Sequence, residues 1–324
     1  MNLLNTIPAD LYINIILPYL DIKSASRLKR VSGILRAIVA EYQSTYKDLI
    51  TITRCKYARS LLAQFPEATF KLLNPTVTIK DNKAITSIEF AGKRLNTCMK
   101  SLKHATSVNT LIINFATIVS TTHKIMTMLD QNSVFNMTQL TTLDISMDNV
   151  PKRFILSTNL SALTNLTTLK LFKCEQVYGI TNLVNLTNLS LTECDIKNGN
   201  NLIGLTKLQY LHLSYVDIHI ADFVNFPDIV NLYMRDIQYF IYRLDKLTKL
   251  ERLSISNGDV VSLGNVDFTH LVNLTSLSIT NELHDVYDLS PLVNLTELYL
   301  YNCPHITPPT HQLKYYVNRN TINT

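Results

Sequence analysis

The sequence predicts an α/β solenoid: a curved parallel sheet with short helical or 3₁₀ segments on its convex side, preceded by a small all-α module. Three observations carry this. The phrases LTNLTTLKL, LVNLTNLSL, LTKLQYLHL, LTKLERLSI, LVNLTSLSI and LVNLTELYL recur through the second half of the 324 residues, and self-similarity at a short fixed period marks a stacked array. Within each phrase apolar and polar residues alternate, as in Leu169-Lys170-Leu171 or Leu211-His212-Leu213, which is the period of a strand with one buried face. The first fifty residues lack the phrase and space their apolar side chains at helical intervals instead.

In chain order the helical module comes first, over residues 1–50. Ile7-Pro8-Ala9-Asp10 opens with a proline followed by an acidic residue, suited to entering a helix. Leu11, Ile15, Ile16 and Leu20 follow at helical spacing, Ser24 is placed to cap a second helix, and Leu28, Val31, Leu35 and Ile38 line it. Residues 51–84 are expected to supply a connecting helix and the solenoid's N-terminal cap, and residues 85–324 the repeats. Weak copies begin at Ile85 and Val108. The clear ones begin at Leu140, Leu166, Leu186, Leu208, Ile229, Leu250, Leu274 and Leu295, at intervals of 26, 20, 22, 21, 21, 24 and 21 residues. The insertion from Ser120 to Asn136 carries Ile125, Met128 and Leu129, compatible with one helix.

This pattern resembles the leucine-rich repeat family. The resemblance places an Asn or Cys three residues after the last strand leucine of each coil. Here that position holds Asp148, Cys174, Cys194, Val216, Ile237, Gly258, Glu282 and Cys303. Three of the five cysteines therefore fall on one repeat position, where a buried thiol packs as a small apolar group. The mixed occupancy departs from the family's ladder and predicts irregular turns. Asn165, Asn185, Asn273 and Asn294 precede the strands as L-x-N-L, where Asn suits left-handed backbone or the end of a short helix.

The string IPADLYINIILPYLDIKSASRLKRVSGILRAI resembles an F-box. Ile7-Pro8 stands at that family's Leu-Pro start, Asp10 at its acidic position, Tyr19-Leu20-Asp21 at its mid-motif, and Leu28 to Val31 at its L-x-x-V. The Pro8-to-Leu20 spacing is one residue longer than the common pattern, and Leu35 stands where many members have Trp. The resemblance implies the substrate-recognition adaptor of a cullin-RING ubiquitin ligase. The module would bind the Skp-type subunit through Pro8, Leu11, Ile15, Leu20, Leu28 and Val31, and the repeats would bind a protein substrate. The competing readings are a helical cap and a leucine-rich scaffold, or phosphatase-regulator-like binder, without a ligase link.

Composition narrows the function classes. The net charge of +5 resides in residues 1–60, with 9 basic and 4 acidic side chains, while residues 61–324 hold 21 of each. Most of the chain thus offers no field for nucleic acid. Seven glycines and no GxGxxG, Walker-type loop, HExxH or GxSxG leave no basis for an enzyme or a cofactor. The eight histidines show no metal-ligand spacing. Five cysteines without a CxxC pair, and a start (MNLLNTIPAD) that lacks a secretion signal, predict a cytoplasmic or also nuclear location in a eukaryote or a virus's host. The early apolar run is too short to span a membrane.

The candidate substrate face is the set of outward strand positions. It comprises Lys170 and Phe172, Tyr210 and His212, Tyr233 and Arg235, Arg252, and Tyr299 and Tyr301. Aromatics beside Arg anchor protein interfaces. The alternative is that Phe172, Tyr210 and Tyr233 simply pack on one another across the sheet.

Overall fold

The computed structural model describes residues 38–39, 43, 49–52, 68–73, 84–91, 102, 105–114, 129, 134–146, 154–155, 159–175, 177–196, 202–216, 225–237, 244–256, 267–281 and 287–319. The strands in chain order are β1 Leu49–Ile52, β2 Thr69–Leu73, β3 Ile85–Ala91, β4 Thr110–Asn114, β5 Thr142–Ser146, β6 Phe154–Ile155, β7 Thr168–Phe172, β8 Cys174–Glu175 and β9 Asn188–Thr192. They continue with β10 Tyr210–Ser214, β11 Asn231–Arg235, β12 Arg252–Ser256, β13 Ser276–Thr280, β14 Tyr287–Asp288, β15 Glu297–Tyr301, β16 Ile306–Thr307 and β17 Tyr315–Arg319. Thirteen of them form one sheet in the order β1-β2-β3-β4-β5-β7-β9-β10-β11-β12-β13-β15-β17. The order follows the chain and the pairing is parallel, so each coil returns to lay its strand beside the last. β6 pairs with β8, and β14 with β16.

Register follows from the alternating pattern. Leu169, Leu189, Leu211, Leu232, Leu253, Leu277 and Leu298 are successive partners across the sheet, and Leu171, Leu191, Leu213, Met234, Ile255, Ile279 and Leu300 form a second such row. All are buried in one continuous core. Each buried aliphatic contributes roughly 1.5–3 kcal/mol before chain entropy is subtracted. One coil alone would leave both rows wet, so the stacking itself supplies the stability.

Opposite the strands the leucines recur every third residue because the backbone there is 3₁₀. Leu160–Ala162, Ile180–Asn182, Leu244–Lys246 and Phe268–His270 are 3₁₀ turns, as the short coils predict. Leu163 N–H donates to Leu160 O at 2.9 Å and Leu166 N–H to Leu163 O at 3.0 Å, which turns Leu160, Leu163 and Leu166 to the core together. Asn159 and Asp267 begin such turns, their side chains accepting from Ser161 N–H and Thr269 N–H, each at 2.9 Å. The Thr269 hydroxyl, donating to Asp267 Oδ1 at 2.6 Å, and then the Thr269 N–H hold the Asp267 carboxyl below its usual pKa. Gly179 takes the capping place in another coil at φ +78°. A Cβ there would lie 2.6 Å from Ser161 N and overlap Asn159 Oδ1, so the coils close in on this glycine.

Three expectations are corrected. The sheet reaches upstream of residue 85: β1 straddles the end of the expected helical module at residue 50, and β2 lies in the 51–84 stretch where a connecting helix and cap were expected. LITI and TFKLL lack the repeat phrase, and a four- or five-residue apolar run does not identify its own backbone state. The L-x-N-L asparagines are not left-handed. Their Nδ2 groups tie each coil to the one before: Asn165 donates to Thr138 O at 2.8 Å, Asn185 to Thr164 O at 3.0 Å, Asn273 to Thr248 O at 2.7 Å and Asn294 to Val272 O at 2.7 Å.

The described turns after β7, β9, β10, β11, β13 and β15 are regular despite their mixed ladder residues. Lys173, Glu193, Tyr215, Asp236, Asn281 and Asn302 all take φ between 49° and 61°. Pro8, Leu11, Ile15, Leu20, Leu28 and Val31 lie outside the described residues, as does most of the 120–136 insertion. Ile38 and Val39 are helical and buried, and Leu129 is buried.

Candidate protein-binding face

On the sheet strands from β2 to β15 the residue between the two buried apolar positions points away from the core, and the exposed β17 continues the row. Strand pairing aligns these residues into a central row. Asp144, Lys170, Ser190, His212, Tyr233, Ser254, Ser278, Tyr299 and Val317 are successive partners. A flanking row runs Thr168, Asn188, Tyr210, Asn231, Arg252, Ser276, Glu297 and Tyr315, and the other ends Ser214, Arg235, Ser256, Thr280, Tyr301 and Arg319. Neighbouring residues in a row are about 4.8 Å apart, so adjacent large side chains touch.

At the middle of the face the structure brings together Tyr210, His212 and Tyr233. The tyrosine rings lie 5.5 Å apart, tilted by 38°, and the His212 ring meets Tyr233 edge-on at 6.2 Å. All three are half-buried. His212 Nδ1 lies 3.4 Å from Ser190 Oγ, and burial lowers its pKa, favouring the neutral imidazole. Burial, and then the neighbouring Tyr233, raises the pKa of Tyr210, so the phenol stays protonated. The cluster is therefore uncharged and amphipathic, with an apolar body and polar tips.

Arg252 is exposed on the next strand, diagonal to Tyr233. Arg235 is exposed too, but its guanidinium is engaged, 5.3 Å over the Tyr215 ring and with Nε 3.4 Å from Asp236 Oδ2. Tyr215 and Asp236 were missed by sequence reasoning. They sit at the left-handed position after the strand, which turns a side chain out beside the face, and only the recurrence of one turn would have revealed that.

The remaining expected residues form separate patches. Lys170 and Phe172 lie on β7, two strands from Tyr210. Phe172 packs against the core, with Lys173 Nζ 5.2 Å above its ring. Lys170 stands beside Asp144, whose pKa is raised by burial and held back by that ammonium. Tyr299 and Tyr301 are 39% and 48% exposed on β15, with the Ser- and Thr-lined β13 and then β12 between them and Tyr233. The face thus has an aromatic centre, a hydroxyl saddle and an aromatic end. It offers contact and hydrogen bonding. Among the described residues no three His, Cys, Asp or Glu side chains gather to hold a metal ion.

The ladder cysteines lie behind this face. Cys194 Sγ donates to Leu171 O at 3.4 Å and Thr192 O at 3.3 Å, and Cys303 Sγ to Ile279 O at 3.4 Å and Tyr301 O at 3.2 Å. Cys174, Cys194 and Cys303 are all buried. Burial pushes the Cys174 pKa well up.

No family model matches the chain, and the search of curated proteins gives no significant match. Solved structures do resemble it. An internalin (inlF) from Listeria monocytogenes is 17% identical, with 98% of this chain and 100% of that one covered at a TM-score of 0.51. A leucine-rich-repeat protein of Leptospira interrogans is 13% identical over 81% of this chain and 74% of that one, with a TM-score of 0.42. The structure of the Toll–Spatzle complex of Drosophila is 15% identical, covering 80% and 41% at a TM-score of 0.35. At such identity the internalin likeness speaks to the fold alone. That fold is the parallel-sheet solenoid of the leucine-rich-repeat proteins.

Proposed function

We propose that this chain is a non-enzymatic recognition scaffold whose sheet face holds a segment of a protein partner. The observation that carries the reading is the Tyr210–Tyr233–His212 cluster beside Arg252 and Arg235. These residue types anchor interfaces, and here a rigid parallel ladder presents them with little side-chain freedom left to lose. The uncharged cluster supplies apolar area, and the two arginines suit an acidic or carbonyl-rich partner.

On the resemblance of residues 7–40 to an F-box, we propose further that the N-terminal module docks a Skp-type adaptor in the cytoplasm or nucleus. The repeats would then deliver a substrate lysine to an activated ubiquitin carried by another subunit. The mechanism would be proximity, a raised effective concentration with no chemistry from this chain. Pro8, Leu11, Ile15, Leu20, Leu28 and Val31 would be the adaptor-binding side chains. A leucine-rich scaffold without a ligase link is the alternative.

Two sets of variants of the full chain test this. Deleting residues 1–50 would also cut into β1, so substitution is the cleaner probe. Leu11→Asp with Ile15→Asp should abolish pull-down of a Skp-type adaptor while leaving the repeats folded. If the unaltered chain fails to bind that adaptor, the ligase reading falls and the scaffold reading stands. Tyr233→Ala with Arg235→Ala should weaken partner capture by roughly tenfold to a hundredfold and spare adaptor binding. Undiminished capture would move the partner off this face.

A further inference from the structure

β17 is the terminal strand of the sheet among the described residues, paired to β15 on one edge only. It is also unlike the others: its five residues are exposed on both faces, with Tyr315, Tyr316 and Val317 at 51%, 46% and 38%. Its inner edge is engaged, since Tyr315 N–H donates to Thr296 O at 3.1 Å and Arg319 O accepts from Asn302 N–H at 3.0 Å. Alternate residues of a strand turn their backbone polar groups to opposite edges. Tyr316 and Asn318 therefore present N–H and C=O outward, a template for another strand.

We propose that this edge pairs with the same edge of a second copy of the chain, antiparallel about a twofold axis at Val317. The sequence of the strand is complementary to itself in that register and in no neighbouring one. Placing Tyr316 opposite the partner's Asn318 uses both outward residues of each strand and forms four backbone hydrogen bonds. A shift by two residues either way leaves one outward pair and half the bonds. The same register sets Tyr315 opposite the partner's Arg319 and Val317 opposite itself. Tyr315 already takes a cation, with Lys314 Nζ 5.4 Å from its ring, so a second cation–π contact suits it. Asn318 Nδ2 already donates to Tyr316 Oη at 3.1 Å within the strand, and across the axis the same two side chains meet again.

The twofold axis stands perpendicular to the sheet, so the two recognition faces open on the same side and the sheet runs on from one chain into the next. An isologous contact of this kind closes at two copies and cannot propagate. Five residues a side bury less than a standard interface, so the dimer should be concentration-dependent rather than permanent.

Sedimentation velocity of the full chain from micromolar to near-millimolar concentration tests this. The expected result is a monomer–dimer shift within that range. Asn318→Pro removes an outward N–H and no bond to β15, so it should raise the dimer dissociation constant at least tenfold with an unchanged circular dichroism spectrum. Tyr315→Glu, facing the partner's Arg319, should lower the constant severalfold, and Tyr315→Lys should raise it. A chain that stays monomeric throughout overturns the proposal, including the case in which residues 320–324 cover the edge. A dimer indifferent to Asn318→Pro overturns it as well.

Discussion

The backbone N–H of Glu193, at φ 52°, donates to the carbonyl of Ser214 on the next coil at 2.8 Å. Lys173 makes the same bond to Thr192 at 2.8 Å, Tyr215 to Arg235 at 2.9 Å and Asp236 to Ser256 at 2.9 Å. Left-handed backbone is what swings the N–H along the solenoid axis after the strand ends. A residue with a Cβ pays roughly 1–2 kcal/mol for that conformation, offset here by an inter-coil bond.

Glu193→Val should therefore destabilise the chain by about 1–2 kcal/mol, because a β-branched residue is worst placed at positive φ. Glu193→Asn should be neutral or slightly stabilising, its lost contact with Lys173 being a partly exposed pair at 3.7 Å. Urea unfolding of the two variants checks the ordering, and equal stabilities would mean the turn relaxes away from this geometry.

Gly179→Ala should cost more, roughly 2–3 kcal/mol, since positive φ is joined there by overlap with the neighbouring coil at Asn159 and Ser161. Gly204→Ala, at φ +101° but with its nearest new neighbour 3.9 Å away, should pay the conformational part alone. Comparing their thermal midpoints separates strain from crowding.

Cys174, Cys194 and Cys303 should react with a thiol reagent only on unfolding. Burial raises the folded pKa of Cys174, so the native thiol keeps its proton where an unfolded one has lost it. With more protons bound in the native state, stability must fall as pH rises above about 8.5. Fast native labelling of Cys194, or stability flat from neutral to alkaline pH, would contradict the buried ladder.

His212 gives the opposite slope. Its folded pKa is lowered by burial, so the unfolded chain binds the extra proton first as pH falls through about 6.5. Stability is then fully present at neutral pH and declines in mild acid. Replacing His212 by Phe should flatten that decline in pH-dependent denaturation, and should leave the alkaline limb governed by Cys174 in place.

Most of the coil was legible in the sequence because two periods coexist in it. Alternation over Leu169-Lys170-Leu171 marks the strand, and the three-residue step from Leu160 to Leu163 to Leu166 marks the 3₁₀ return. β1, β2 and β17 were not legible. They carry strand-like residues without the phrase, and only the neighbouring coil selects their conformation. The tyrosine cluster was visible as three residues at matching offsets in two repeats. Arg235 was visible as a cation, but its partners Tyr215 and Asp236 sit at a position defined by a backbone dihedral rather than by residue type. The asparagines before the strands showed their importance through recurrence, while their bonds to the preceding coil could not be read from single-chain propensity.

The sheet also acts as a vernier. Its rows advance by about 4.8 Å per coil, whereas the side chains on one side of an extended peptide recur about every 6.8 Å, so few multiples of the two scales agree. Tyr233 and Tyr299 stand three coils apart, on β11 and β15. Three coils span about 14.4 Å and four extended residues about 13.6 Å, so the scales nearly meet there. A partner that engages both can stay extended over the Ser254 and Ser278 saddle. The two tyrosines thus select side chains four residues apart on one side of whatever strand crosses them.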